Sequence, residues 1–182
     1  MKETGIVRKL DNLGRLVIPK EIRRCMRIKE GSPIEFGLLP SGEIVLCKYS
    51  LINQISDYSD EFCNILGAIF DCIALIGDRD KIISSYGISK KSTISAVWSS
   101  EVLDIIDSKS SYKACKQDNT TIIPVYDQDS NTYYSQIIYP INIQGEIEGV
   151  VVLLETKEDR CLTNEHLTAL RVVATFLSSQ ME

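Results

Sequence analysis

A chain of 182 residues with 44% hydrophobic and 25% charged side chains has the make-up of a folded protein and excludes disorder or low complexity. Apolar runs such as 150–154 are far shorter than the roughly 20 residues that cross a bilayer. Residues 1–5 carry charge with no apolar stretch behind it, so neither a membrane span nor a secretory leader is expected, and the chain reads as cytoplasmic. The formal net charge of −5 argues against nucleic-acid binding by the chain as a whole, yet the charge is unevenly placed. Residues 1–50 hold ten Lys and Arg against six Asp and Glu, and the remainder holds ten against nineteen. A basic head on an acidic body is the asymmetry expected when one domain meets phosphates and the other does not.

Residues 4–10 read as a short strand, Asp11-Asn12 as a turn, and residues 13–18 as a second strand. Pro19 stands where a helix starts at no cost to its missing N–H. The helix runs from Lys20 to about Met26, with Ile22, Cys25 and Met26 on one side and Arg23, Arg24 and Arg27 on the other. Gly31 ends it. Residues 33–36 and 44–48 then read as two strands around the turn Pro40-Ser41-Gly42. Four short strands and two helical turns bury too little surface to stand alone, because hairpins are marginal in water and so small a domain has a poor core. A dimer exchanging hairpins solves that problem and is expected on this ground alone.

Ser50 caps the next segment, 51–70, an amphipathic helix with apolar residues at 51, 52, 55, 58, 62, 65, 66 and 69. Residues 72–76 and 81–85 read as strands, and 92–107 as a helix burying Ile94, Val97, Trp98, Val102, Ile105 and Ile106. Residues 108–118 read as a loop, and 121–126, 133–141 and 147–155 as strands. A last helix starts near Thr163 and buries Leu167, Leu170, Val173, Ala174 and Leu177. That order makes an α+β domain with helices on one sheet face.

At the head the residues become recognisable. Gly14-Arg15-Leu16-Val17-Ile18-Pro19-Lys20-Glu21-Ile22-Arg23-Arg24, preceded by Thr4-Gly5-Ile6-Val7-Arg8-Lys9 and by Asp11, resembles the AbrB-type swapped-hairpin DNA-binding domain. The order of elements behind it, with Ser89-Lys90-Lys91, is similar to the stage V sporulation protein T family. In these regulators of endospore-forming bacteria a helix joins an AbrB-type head to a GAF domain.

The resemblance implies a two-domain α+β chain. Residues 1–50 would form a dimeric swapped-hairpin β-barrel, 51–70 a linker helix packed on the second domain, and 71–182 a GAF-like α/β sandwich for sensing or oligomerisation. It also implies DNA contact by Arg8, Lys9, Arg15, Arg23 and Arg24. The expected partners are double-stranded DNA and further copies of the chain, a homodimer extending to a homotetramer, with a small-molecule ligand in the tail left open. The physical case for the arginines agrees, since guanidinium is a planar fork of donors matched to phosphate and to guanine edges. No helix is long enough to fill a major groove, so specificity is expected to lean on DNA shape.

Catalysis, a cofactor and a metal are not expected. The cyclic-nucleotide signature of GAF domains is missing. Six cysteines, at 25, 47, 63, 72, 115 and 161, form no short paired spacing. Cys25, Cys47, Cys63 and Cys72 read as small buried hydrophobes, and Cys115 as an exposed thiol between Lys113 and Lys116. Cys161 and the single histidine, His166, have no third partner or Gly-rich elbow to make a nucleophilic site. Trp98, Tyr133, Tyr134 and Tyr139 read as core before pocket. Two rival readings stand beside it: an antitoxin, since toxin-neutralising proteins use the same head, although about 130 folded residues follow here, and a purely structural DNA-binding assembly module whose tail only oligomerises.

Overall fold

The computed structural model describes residues 5–49 and 56–181; the expected cap at Ser50, the helix start at 51–55 and Thr4 lie outside them. The chain forms two compact units, residues 1–49 and 50–182.

In the first unit, α1 (Lys20–Cys25) is followed by the antiparallel hairpin β1 (Ile34–Leu38) and β2 (Ile44–Lys48). Pro19 is the cap residue before α1, with φ −57°, near the value its ring imposes. The helix closes with Arg27 in the left-handed region (φ 51°) and the Ile28 N–H donating to the Arg23 carbonyl at 2.8 Å. The hairpin turns at residues 39–43, where Gly42 supplies φ 86° at no steric cost. Residues 5–19 differ from the expected pair of strands. They are extended but make no ladder, and only the turn at 11–15 is fixed by hydrogen bonds. A strand exists only against a partner strand, and within one chain these residues have none. No described residue of the first unit is buried.

The second unit is built on a five-stranded antiparallel sheet of order β4-β3-β7-β6-β5, where β3 is Ile73–Asp78, β4 Ile82–Tyr86, β5 Tyr112–Cys115, β6 Ser135–Ile143 and β7 Glu146–Glu155. The β6–β7 hairpin turns at Gln144 and Gly145, both with positive φ. One sheet face packs α2 (Ser56–Phe70) and α5 (Asn164–Ser179) over Ala74, Ile76, Ile137, Ile141, Val151 and Leu153. The other face carries α4 (Ser100–Ser108), the one-turn helix α3 (Lys90–Thr93) and the loops around them over Leu75, Ile138, Val150, Val152 and Leu154. Helices therefore cover both faces, where one covered face was expected. The reason lies in β3 and β7, which are apolar at consecutive positions and buried throughout most of their length. Strands of that kind must be covered on both sides.

The expected helix over 92–107 is two helices with an extended break. Ser95 adopts φ 70° and donates its N–H to the Ile82 carbonyl. Val97 and Trp98 then bridge to Lys81 and Tyr126 before Ser99 caps α4 by accepting from the Val102 N–H. Trp98, 1% exposed, donates its indole N–H to the Asp78 carbonyl at 2.7 Å. The β-bridges of Val97 and of Trp98 itself outweigh the helical periodicity read from Ile94 to Ile106. The segment 108–118 is ordered, with β5 and a 3-10 turn at Lys116–Asp118. The expected strand at 121–126 reduces to the single bridge at Tyr126.

On α2 the buried face is Ser59, Cys63, Leu66 and Gly67. The predicted stripe is partly displaced, since Tyr58, Ile65 and Ile69 are exposed. α5 buries Leu170, Val173, Ala174 and Leu177 as its period requires. Leu170, Val173 and Leu177 each contribute about 1.5–3 kcal/mol of burial. Trp98 and Tyr133 lie in the core, Tyr139 packs at its edge, and Tyr134 carries the Lys116 ammonium over its ring at 4.2 Å.

Candidate nucleic-acid interface

The cationic residues of the head are carried by three local devices. Arg8 and Lys9 lie on the extended segment before the turn, both exposed. Arg15 is set by Asp11. One carboxylate oxygen of Asp11 accepts the backbone N–H of Leu13 (2.9 Å) and of Arg15 (2.8 Å), and the other accepts Arg15 Nε at 2.7 Å. Short aspartate side chains fold back on the chain in this way at turns. The Arg15 N–H and guanidinium hold the Asp11 carboxyl below the usual carboxylate range. Arg15 remains 71% exposed, so the pair orients the guanidinium without covering it. Arg23 and Arg24 stand exposed in the last turn of α1, where cations also complement the helix dipole.

Among the described residues no ion pair holds Arg8, Lys9, Arg23 or Arg24, and only Arg15 has the acidic partner that an ordinary surface would give all of them. Beside these cations lies a set of exposed apolar residues: Val7 (82%), Val17 (72%), Phe36 (72%), Leu38 (79%), Leu13 and Ile44.

The tail holds few chemical groups free to act. Cys115 is 2% exposed and joined to Cys161 by a disulfide, with Cα atoms 5.7 Å apart. The expectation of an exposed thiol is thus overturned: β5 places Cys115 on the inner face of the sheet edge, against the segment leading into α5. Cys63 and Cys72 are buried thiols, Cys72 pushed up to about 12 by burial. Cys25 and Cys47 are exposed, against expectation, because no described residue of the first unit is buried. His166 is the third residue of α5. Its Nδ1 accepts the Thr163 N–H at 3.0 Å, closing a capping box, and its ring stacks on Phe70. Reading it as a polar residue near a helix start missed this role, although the spacing Thr163 to His166 is that of a capping pair.

Described residues include no helix long and apolar enough to cross a membrane. Residues 54–182 match the family described as Stage V sporulation protein T C-terminal, transcription factor, and residues 7–53 match Antidote-toxin recognition MazE, bacterial antitoxin. Over 182 residues, all of this chain and 99% of the relative, it is 37% identical to stage V sporulation protein T of Bacillus subtilis. It is 51% identical over 87 residues to the transition state regulatory protein AbrB of the same organism, covering 48% of this chain and 81% of the relative.

The tail is similar to the GAF domain of an Acinetobacter phosphoenolpyruvate-protein phosphotransferase (TM-score 0.57, 16% identity, 73% of this chain and 82% of that one). It is also similar to residues 122 to 287 of a methyl-accepting chemotaxis protein (TM-score 0.58, 13% identity, 69% and 87%). At such identities the likeness is one of fold alone. An AbrB-type head and a GAF-like tail on one chain define a two-part, DNA-binding transcription regulator. Within that class the chain belongs to the stage V sporulation protein T family.

Proposed function

We propose that this chain regulates sporulation genes in the cytoplasm, gripping double-stranded DNA with a head completed by a second copy. The observation that carries this reading is the head itself, with exposed cations beside exposed apolar residues and no described residue buried. A unit without a core does not hold a fold by itself. Hairpin exchange with a second copy would cover Val7, Val17, Phe36 and Leu38 and give residues 5–19 their missing ladder. It would also double the set Arg8, Lys9, Arg15, Arg23 and Arg24, so that affinity comes mainly from counterion release.

The tail senses or assembles and does not catalyse. Exposed Ile65 and Ile69 on α2 and Val172 and Phe176 on α5 supply a second apolar face, which suits pairing of dimers into a tetramer. The antitoxin reading draws on the match over residues 7–53, but a folded tail of this size exceeds what toxin capture needs.

Replacing Arg8, Arg15, Arg23 and Arg24 by alanine, singly and together, tests the surface. Each lost phosphate contact flattens the log–log salt dependence of binding by about 0.9, while circular dichroism and oligomeric state stay unchanged. A quadruple variant that binds promoter DNA like the parent chain refutes the assignment.

A further inference from the structure

Two cysteines of the tail form a bond that the DNA-binding reading does not use. Cys115 ends β5, the edge strand of the sheet, and Cys161 lies in the segment between β7 and α5. Their disulfide joins positions 46 residues apart. It ties the sheet edge to the start of a helix that shares its sheet face, and core contacts, with α2.

We propose that Cys115 and Cys161 are a reversible redox modification site, closed by a peroxide and reopened by a cellular dithiol. The proposal rests on the cytoplasmic location proposed above, since a disulfide in a reducing compartment is usually transient or sensory. Accessibility sorts the six cysteines by chemistry. Cys63 and Cys72 are buried, their thiols are pushed up by burial, and neither is bonded to another cysteine, so they have neither access to a peroxide nor a partner sulfur. Cys25 and Cys47 are exposed, but no bond joins either to another cysteine. Cys115 and Cys161 alone combine proximity with unequal access, Cys115 buried and Cys161 partly exposed.

Access assigns the roles. The Cys161 thiolate attacks one oxygen of hydrogen peroxide, breaking the O–O bond, and becomes a sulfenic acid as hydroxide leaves and takes a proton to form water. The Cys115 thiolate then attacks that sulfur, the S–O bond breaks, and a second water departs. Two thiols are oxidised by two electrons and one peroxide is reduced. A dithiol reverses the change by exchange through a mixed disulfide, ending as its own cyclic disulfide.

The neighbourhood sets how readily this happens. Asp118 lies within 4.8 Å of both sulfurs, and its negative charge opposes thiolate formation. The Gln117 amide oxygen is 3.5 Å from Cys161 Sγ, and its amide nitrogen donates to the Glu158 carbonyl at 3.0 Å, which fixes the 3-10 turn to the segment that carries Cys161. The same bond therefore couples β5, this turn and the approach to α5.

The test uses the full-length protein and the variants Cys115→Ser, Cys161→Ser and Asp118→Asn. The protein is reduced with dithiothreitol and then exposed to hydrogen peroxide or to glutathione buffers spanning the cytosolic range. Non-reducing peptide mapping should find a Cys115–Cys161 cross-link, with loss of two titratable thiols, reversed by thioredoxin. Cys115→Ser should accumulate a sulfenic acid at Cys161 that dimedone traps, Cys161→Ser should leave Cys115 reduced, and Asp118→Asn should oxidise faster. In the reduced parent chain, amide exchange over 112–118 and 156–163 should quicken.

A cross-link that stays closed throughout the cytosolic range marks a fixed structural bridge and overturns the proposal, whatever becomes of DNA binding. Cross-links scattered over other cysteines overturn it too. So does stoichiometric Zn²⁺ held by the reduced chain and lost in Cys161→Ser, which would make the cluster a metal centre.

Discussion

Gly77→Ala puts the packing of the tail to a sharp test. Gly77 stands on β3 opposite Ile82 of β4 and Val150 of β7, beside an irregularity in the β3–β4 register. A Cβ there would lie 2.2 Å from the Lys81 carbonyl oxygen, 2.5 Å from Trp98 Cζ2 and 2.9 Å from Ile82 Cα. Carbon contacts settle near 3.5–4.0 Å, so the added methyl intrudes by about 1 Å on three sides. Two of the obstacles are backbone and the third is an indole held by its bond to Asp78. Overpacking costs about 1–3 kcal/mol. If Trp98 swings away, the stranded Asp78 carbonyl adds about 1–3 kcal/mol. Together the two amount to a loss of roughly 2–6 kcal/mol. Trp98 is the sole tryptophan, so its fluorescence during urea unfolding reports on the tail alone, and the midpoint should fall by about 1–3 M at ordinary m-values. A midpoint unchanged to within about 0.2 M refutes the close approach of β4 and Trp98 to Gly77.

Gly67→Ala would set a methyl 1.9 Å from the Tyr86 ring. It should destabilise the tail by about 1–2 kcal/mol in urea unfolding despite better helix propensity, and Tyr86→Ala in the same chain should recover part of that loss. Burial lowers the folded pKa of His166 from its ordinary 6.5, so its contribution to stability is complete above pH 6.5 and declines as pH falls from there toward the folded value. The slope is at most about 1.4 kcal/mol per pH unit; thermal unfolding from pH 7.5 to 5.5 checks it, and His166→Asn should remove that part of the dependence. A fragment of residues 1–50 should sediment as a dimer at micromolar concentration and bind DNA more weakly than the full chain; a folded monomer would refute hairpin exchange. Insertions near Asp57 should impair operator binding according to helical phase, with four residues tolerated best; uniform tolerance would make the segment a passive tether.

The elements that sequence periodicity recovered are those whose fate is decided locally. β3, β6, β7 and α5 carry long apolar patterns between clear breaks, and each stands within two or three residues of its expected place. Elements decided by distant partners were not legible. Ile94 to Ile106 has a helical period, yet Val97 and Trp98 bridge to residues far along the chain. The polar segment before Gln117 looked like a loop because β5 is a short edge strand, and its pairing with β6 leaves little pattern in four residues. On α2 two apolar faces overlap. Phe62 meets Phe176 edge to face, Cys63 and Leu66 enter the core, and Ile65 and Ile69 stay exposed. A single stripe averaged over them points between the two.

The head divides in the same way, and the division bears on what the cations can do. The basic residues were legible because charge needs no partner to be recognised. The strands expected at 4–10 and 13–18 rest on β-forming residues, and those of them that are described find no ladder in one chain. Val7 and Val17 belong to those segments and Arg8 and Arg15 are interleaved with them, so whatever covers the valines also sets the spacing of the arginines. Phosphates on a duplex repeat at fixed intervals, and flexible cations meet them at an entropic cost that a fixed array avoids. On the proposed reading, burying the apolar residues between two copies and arranging the cations on DNA would be one event. Val7→Asp and Val17→Asp should accordingly weaken DNA binding as much as loss of an arginine, although neither valine carries a charge to a phosphate. Sedimentation should show dissociation alongside that loss, and a variant that binds DNA weakly while fully dimeric would separate the two events and refute their coupling.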